Sequence, residues 1–172
     1  MNRYQQIYVE KVTLNMGIGA PGEKLEKSLR LLSNLTHAKP VATFTKKRIP
    51  TWSLRPGLSI GCKVTLRGLK AHDFLKKLLA ARNNLLKEQN FDDSGNFSFG
   101  IPEYLDIPGA EYDMQLGIVG LETAVTLVRP GFRIKIRHIH KRKIPSRHRI
   151  TKEEAVEFIR KTYSINIVGN EL

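Results

Sequence analysis

Ser59-Ile60-Gly61-Cys62-Lys63-Val64-Thr65-Leu66-Arg67 is the most regular stretch of the chain. Ile60, Cys62, Val64 and Leu66 alternate with Gly61, Lys63, Thr65 and Arg67. Side chains along a strand point to opposite faces in turn, so this period of two predicts a strand with one buried side and one open side. Such a strand belongs to an antiparallel sheet covered on one face only. Residues 7–16 carry the same signal, with Val12, Leu14 and Met16 on one side and Lys11, Thr13 and Asn15 on the other. Further strands are expected at 41–44, 97–101, 119–128 and 165–168.

Between these stretches the period lengthens. Residues 23–35 set Leu25, Leu29 and Leu32 at helical spacing, with Leu31 and Leu35 widening the stripe, and Pro40 blocks continuation. Residues 71–86 read as a second amphipathic helix built on Phe74, Leu75, Leu78 and Leu85. Thr151 opens a third that runs to about Lys161: its hydroxyl can cap the helix while Glu154, three residues on, reaches back. The order β-α-β-β-α-β-β, then a basic segment, a helix and a strand, predicts an α+β fold. It would be a two-layer sandwich, a mostly antiparallel sheet with helices on one face. With no internal repeat and no linker, residues 1–172 read as a single domain. It carries a basic segment at 129–150 and a C-terminal helix–strand extension at 151–172.

Charge narrows the function. The 172 residues hold 29 Lys and Arg against 16 Asp and Glu, a net charge of +13. That excess repels itself unless a polyanion neutralises it, and nucleic acid is the commonest such partner. An anionic membrane surface comes second, but no apolar run approaches the ~20 residues of a spanning helix. The polar start, residues 1–6, does not read as a signal peptide. Cys62 is the only cysteine, which excludes an internal disulfide and a cysteine-based zinc site and fits a reducing cytosol.

The basic residues are also patterned. Residues 133–149 contain eight Lys or Arg (Arg133, Lys135, Arg137, Lys141, Arg142, Lys143, Arg147 and Arg149), three His and no acid, the density of a nucleic-acid patch. The polar rows Lys11, Thr13, Asn15 and Lys63, Thr65, Arg67 combine cations for phosphates with hydroxyls and an amide for sugar or base edges. The loop 45–57 carries Lys46, Lys47, Arg48, Trp52 and Arg55, punctuated by Pro50 and Pro56. Two readings stand for Trp52, stacking on a nucleotide or pinning the loop to the body. Phe97 and Phe99, at alternate strand positions, read as core rather than as an RNA-stacking pair.

Catalytic chemistry finds little purchase. Asp92, Asp93, Asp106 and Asp113 lack paired spacing for acid–base work, and nothing assembles a nucleophile. His138, His140 and His148 have no cysteine or carboxylate company, so no metal or other cofactor is expected. Cys62, on the apolar side of its strand, reads as a buried, inert thiol. The competing enzyme reading is a small NADP-binding reductase built on Gly17-Ile18-Gly19-Ala20-Pro21-Gly22, which matches the dinucleotide fingerprint in spacing and context. The acid expected on the next strand is missing, although Lys46, Lys47 and Arg48 could meet a 2′-phosphate. A third reading is an RNA chaperone or silencing factor that binds by charge alone.

Several strings together resemble the large-subunit ribosomal protein five family, in its archaeal and eukaryotic branch. They are Leu14-Asn15-Met16-Gly17-Ile18-Gly19, Lys39-Pro40-Val41, Thr45-Lys46-Lys47, residues 60–68 and residues 95–101, followed by Arg129-Pro130-Gly131 and residues 143–149. The resemblance implies a non-enzymatic ribonucleoprotein component of cytoplasmic ribosomes, active in translation, with a two-layer α+β fold. It implies binding of 5S rRNA and 23S-type rRNA in the central protuberance, contact with P-site tRNA, and neighbouring ribosomal proteins that include one of the small-subunit head. No membrane partner is implied. By motif, Asn15 and Thr65 correspond to sheet residues that read 5S rRNA, and Lys46, Lys47, Lys63 and Arg67 stand at matching basic positions. The loop around Arg48, Trp52 and Arg55 matches the tRNA-facing segment. One departure is His37-Ala38, where many relatives carry Gly-Gln and the glutamine contacts RNA.

Overall fold

The computed structural model describes residues 3–112 and 117–168; Asp113 lies outside them. The regular elements are β1 (Tyr8–Gly17), α1 (Glu23–Thr36), β2 (Val41–Phe44), β3 (Ser59–Arg67), α2 (Leu69–Ala81), β4 (Leu85–Lys87), β5 (Phe97–Ile101), β6 (Leu121–Val128), α3 (Arg133–Ile136), α4 (Lys152–Tyr163) and β7 (Asn166–Val168). Five strands hydrogen-bond in the order β2-β3-β1-β6-β5, and β4 pairs with β7 in a separate parallel ladder. The class is α+β with a mostly antiparallel five-stranded sheet, as the alternation of residues 59–67 predicts. β2 runs antiparallel to β3, with Val41 opposite Lys63 and Thr43 opposite Gly61.

Contacts group the chain into two compact units. The first takes the described residues of Met1–Val12, Arg67–Phe99 and Ala124–Leu172, and the second takes Thr13–Leu66 and those of Gly100–Thr123. In the first, Val9, Val12, Leu75, Leu78, Phe97, Phe99, Leu127 and Ile159 are buried. In the second, Leu14, Met16, Leu32, Cys62, Val64, Tyr104 and Leu121 are buried. Burial pushes the Cys62 thiol up to about 11, so it stays protonated and unreactive at neutral pH, as expected from its place on the strand.

The helices depart from the sequence pattern at instructive points. α1 buries Leu25, Ser28, Leu31, Leu32 and Thr36, while Leu29 and Leu35 are only half-buried. Two hydroxyl residues can join the buried stripe because each donates back one turn, Ser28 Oγ to Lys24 O at 2.8 Å and Thr36 Oγ1 to Leu32 O at 2.6 Å. The helix expected over 71–86 ends at Ala81. Asn83 and Asn84 both adopt left-handed backbone, at φ 55°, a conformation asparagine tolerates better than most residues. The chain leaves the turn as β4, so Leu85 is half-exposed on a strand and Leu86 is buried in its place. α4 starts as expected: the Glu154 N–H donates to Thr151 Oγ1 at 3.4 Å, and the Thr151 N–H donates to Glu154 Oε2 at 3.0 Å.

The glycine-rich turn does not form a dinucleotide cradle. The Ile18 and Gly19 N–H groups both donate to Ile60 O, at 2.9 and 2.8 Å, so neither is free for a pyrophosphate. β3 lies between β1 and β2, whereas a βαβ nucleotide fold pairs those two strands in parallel.

Candidate nucleic-acid interface

The second unit presents part of the polar rows. Leu14 and Met16 of β1 and Cys62, Val64 and Leu66 of β3 are buried, so the intervening residues must point the other way. Thr13 and Asn15 are half-exposed on β1, and Lys63 and Thr65 are exposed on β3. Asn15 Nδ2 donates to Glu122 Oε2 of β6 at 3.4 Å, a long bond that gives the amide a preferred orientation. Gly61 lets the strands close up. A Cβ there would sit 2.6 Å from Met16 O and 3.0 Å from Thr43 Oγ1.

The first unit holds the remainder of these rows. Burial along β1 slips by one between Val9 and Val12, as it does at a β-bulge, leaving Glu10 and Lys11 both half-exposed. The slip frees Glu10 to accept a bond from Arg67 Nη1 at 2.8 Å. In this unit Arg67 is therefore paired with a carboxylate, Glu10, whose placement the strand alternation alone did not reveal.

The loop at 45–57 is an ordered hairpin extension. Thr45 N–H donates to Leu58 O and Gly57 N–H to Thr45 O, while Ile49 and Leu54 exchange two backbone bonds at 3.0 Å. Pro50–Trp52 make a single 3-10 turn at its tip, closed by Ser53 in left-handed backbone. Leu54, buried, pins the loop; Trp52, 70% exposed, does not. Lys46, Lys47, Arg48 and Arg55 are exposed around it.

The basic segment also has its own architecture. Arg129 is 9% exposed and donates through Nη2 to Glu154 Oε1 at 2.7 Å and through Nη1 to Arg149 O at 3.2 Å. His148 Nε2 donates to Pro130 O at 2.9 Å, and the Arg142 N–H returns to Ile134 O at 3.2 Å. These bonds tie the two ends of 129–149 together. Arg133, Lys135, Arg137, Lys141, Arg142, Lys143, Arg147 and Arg149 all remain exposed. Although burial pushes the Glu154 carboxyl up, the Thr151 N–H and the Arg129 guanidinium outweigh it and hold it below the ordinary glutamate range.

Two candidates for other roles are accounted for structurally. Phe97 and Phe99 are buried and stack with each other, and Phe91 stacks on Phe97, so all three are core. Asp92 accepts from the Ser94 and Asn96 N–H groups and organises a turn. Arg129, by contrast, is a residue that composition alone did not single out: its Pro-Gly neighbours gave a motif, but its burial depends on distant Glu154.

Comparison with known proteins places the chain in a family. The family described as ribosomal protein L5 matches residues 2–55, and the model of that family's C-terminus matches residues 59–158. The chain is 48% identical over 169 residues to the large ribosomal subunit protein uL5 of Sulfurisphaera tokodaii, covering 98% of this chain and 96% of that one. It is 51% identical over 165 residues to the protein of the same name from Nanoarchaeum equitans, covering 95% and 97%. The uL5 protein of Pyrobaculum aerophilum is 45% identical over 163 residues, covering 95% and 91%. Among the described residues no helix is long and apolar enough to cross a membrane. The chain belongs to the ribosomal protein L5 family, and is thus an rRNA-binding, structural and non-enzymatic constituent of the large subunit of cytoplasmic ribosomes.

Proposed function

We propose that this chain binds 5S rRNA through the open polar rows of β1 and β3 and helps attach it to the 23S-type rRNA in the central protuberance. The observation that carries this reading is the strict alternation of buried Cys62, Val64 and Leu66 with exposed Lys63, Thr65 and Arg67. Lys11, Lys63 and Arg67 neutralise phosphates, and Thr13, Asn15 and Thr65 bond to sugar or base edges. Lys46 and Lys47 extend the contact from the base of the hairpin. The exposed basic residues of 133–149 engage the large rRNA. The hairpin tip, with Arg48, Trp52 and Arg55, faces P-site tRNA, and the protein also meets a small-subunit head protein. The 70% exposure of Trp52 supports a stacking role for the indole.

Filter binding of 5S rRNA and of a scrambled RNA of equal length tests the reading. Lys63→Ala should flatten the salt dependence for both RNAs by about one unit of slope per lost phosphate contact. Thr65→Ala should weaken 5S rRNA selectively. Equal loss for the two RNAs would instead favour binding by charge alone, and no loss for either would remove β3 from the interface.

A further inference from the structure

The first unit contains a cavity of about 570 Å³, partly open to solvent, beneath the basic segment. That volume lies within the range of roughly 300–1,000 Å³ typical of small-ligand sites. Leu127, Phe132 and Ile150 supply apolar wall, and the charged side chains that line it, Lys135, Arg142 and Lys143 among them, are all basic. Arg129 lines it too. Its terminal nitrogens are both engaged, but its buried Nε–H has no partner. A buried donor without an acceptor is rare in folded proteins and marks a place where a bound group can complete the bonding.

Apolar walls, a basic rim and one waiting donor match a flat, largely apolar body that bears an acceptor and an anionic tail. We propose that the cavity takes one unstacked nucleotide, its base against Phe132 and Ile150, a base or sugar oxygen accepting from Arg129 Nε, and its phosphate on the rim lysines. The nucleotide comes either from a bound RNA strand or as a free nucleoside monophosphate, since the recognised chemistry is the same. Proteins that read RNA often receive splayed bases on aromatic and guanidinium planes. The inference rests on the reading of 133–149 as an RNA contact and adds to it a defined subsite for a single residue.

The Arg129 Nε–H resonance of the isotope-labelled full-length protein reports on the site directly. Adenosine, guanosine, cytidine and uridine monophosphates should include at least one that shifts it saturably, with equal inorganic phosphate leaving it in place. Adding 5S rRNA or large-rRNA fragments should shift it if the nucleotide is extruded from RNA, and only the free nucleotides should do so otherwise. Phe132→Ala should weaken the responding ligand about tenfold, the loss expected of one stacked base, without changing the salt slope. If that variant unfolds, Ser94→Trp, which places a bulky side chain into the cavity from an exposed turn position, should block the site with the fold intact. A shift from inorganic phosphate equal to that from nucleotides overturns the inference, as does no shift with any ligand. Cavity variants that lose the nucleotide shift yet bind RNA normally assign the site to free nucleotides, whereas cavity variants that keep the shift overturn the subsite alone. If Arg133→Ala and Arg147→Ala, exposed and outside the cavity, leave RNA binding and its salt slope unchanged, the reading of 133–149 as an RNA contact fails independently of the cavity.

Discussion

Arg67 Nη1 donates to Glu10 Oε1 at 2.8 Å, and the carboxylate is the more covered partner, its side chain 18% exposed against 58% for the arginine. The guanidinium is thus held by a carboxylate that cannot easily move away. Removing Arg67 therefore does two things: it deletes a cation and bares an anion where RNA is proposed to bind. Arg67→Ala should weaken 5S rRNA binding more than Lys63→Ala does, and Glu10→Gln added to Arg67→Ala should recover part of the loss. Filter binding at low and moderate salt checks this. Identical affinities for the single and double variants would separate Glu10 from the interface.

Gly61 is required by space rather than by backbone angle. Its missing Cβ would lie 2.6 Å from Met16 O, a backbone atom that can retreat only if the strands part. Gly61→Ala should destabilise the protein by about 1–3 kcal/mol, the usual range for forcing atoms into a packed site. Gly17→Ala is the matched control, because an added Cβ there meets nothing within 4 Å. Urea unfolding of the two variants should separate them clearly. Equal midpoints would mean that β1 and β3 adjust without strain.

His37 closes α1 in left-handed backbone at φ 48°, its N–H bonded to Ser33 O at 2.8 Å. Glycine is the residue suited to that position. His37→Gly relieves a left-handed strain of roughly 1–2 kcal/mol and gives back about half of it as unfolded-chain entropy. The variant should gain about 0.5–1 kcal/mol and melt about 2 °C higher. A lower melting temperature would mean that the imidazole makes a stabilising contact that outweighs the strain.

Much of this was legible in the chain itself. Strands β1, β2, β3 and β5 fall within a residue or two of their expected bounds, because a half-buried strand writes its period of two directly into the sequence. Thr151 and Glu154 were equally readable, since a capping box is local. What could not be read depends on partners far along the chain. Ser28 and Thr36 enter the buried stripe only because each can bond back to its own helix, and Leu85 leaves the α2 stripe because Asn83 and Asn84 end the helix. The adjacent asparagines were a usable signal for that stop. The pairing of Glu10 with Arg67 needs the slip in β1, and the burial of Arg129 needs Glu154; neither leaves a mark in local composition.

The Arg129–Glu154 pair makes stability depend on pH in a definite direction. Glu154 is held below the ordinary glutamate range in the folded state, so the folded protein binds its proton less readily than the unfolded chain does. Its contribution is complete above the unfolded value of about 4.3 and is lost as pH falls through the lower folded value. Glu154→Gln removes the charge that faces a buried guanidinium but keeps a side chain able to accept a bond. At pH 7 it should cost about 1–2 kcal/mol, at the lower end of charged hydrogen-bond losses because the Glu154 side chain is 41% exposed and screened. Below pH 4 the stability difference between wild type and variant should shrink steadily. Urea unfolding at a series of pH values measures it. A difference that stays constant down to pH 3 would show that the carboxylate charge contributes nothing, and that packing alone holds Arg129 in place.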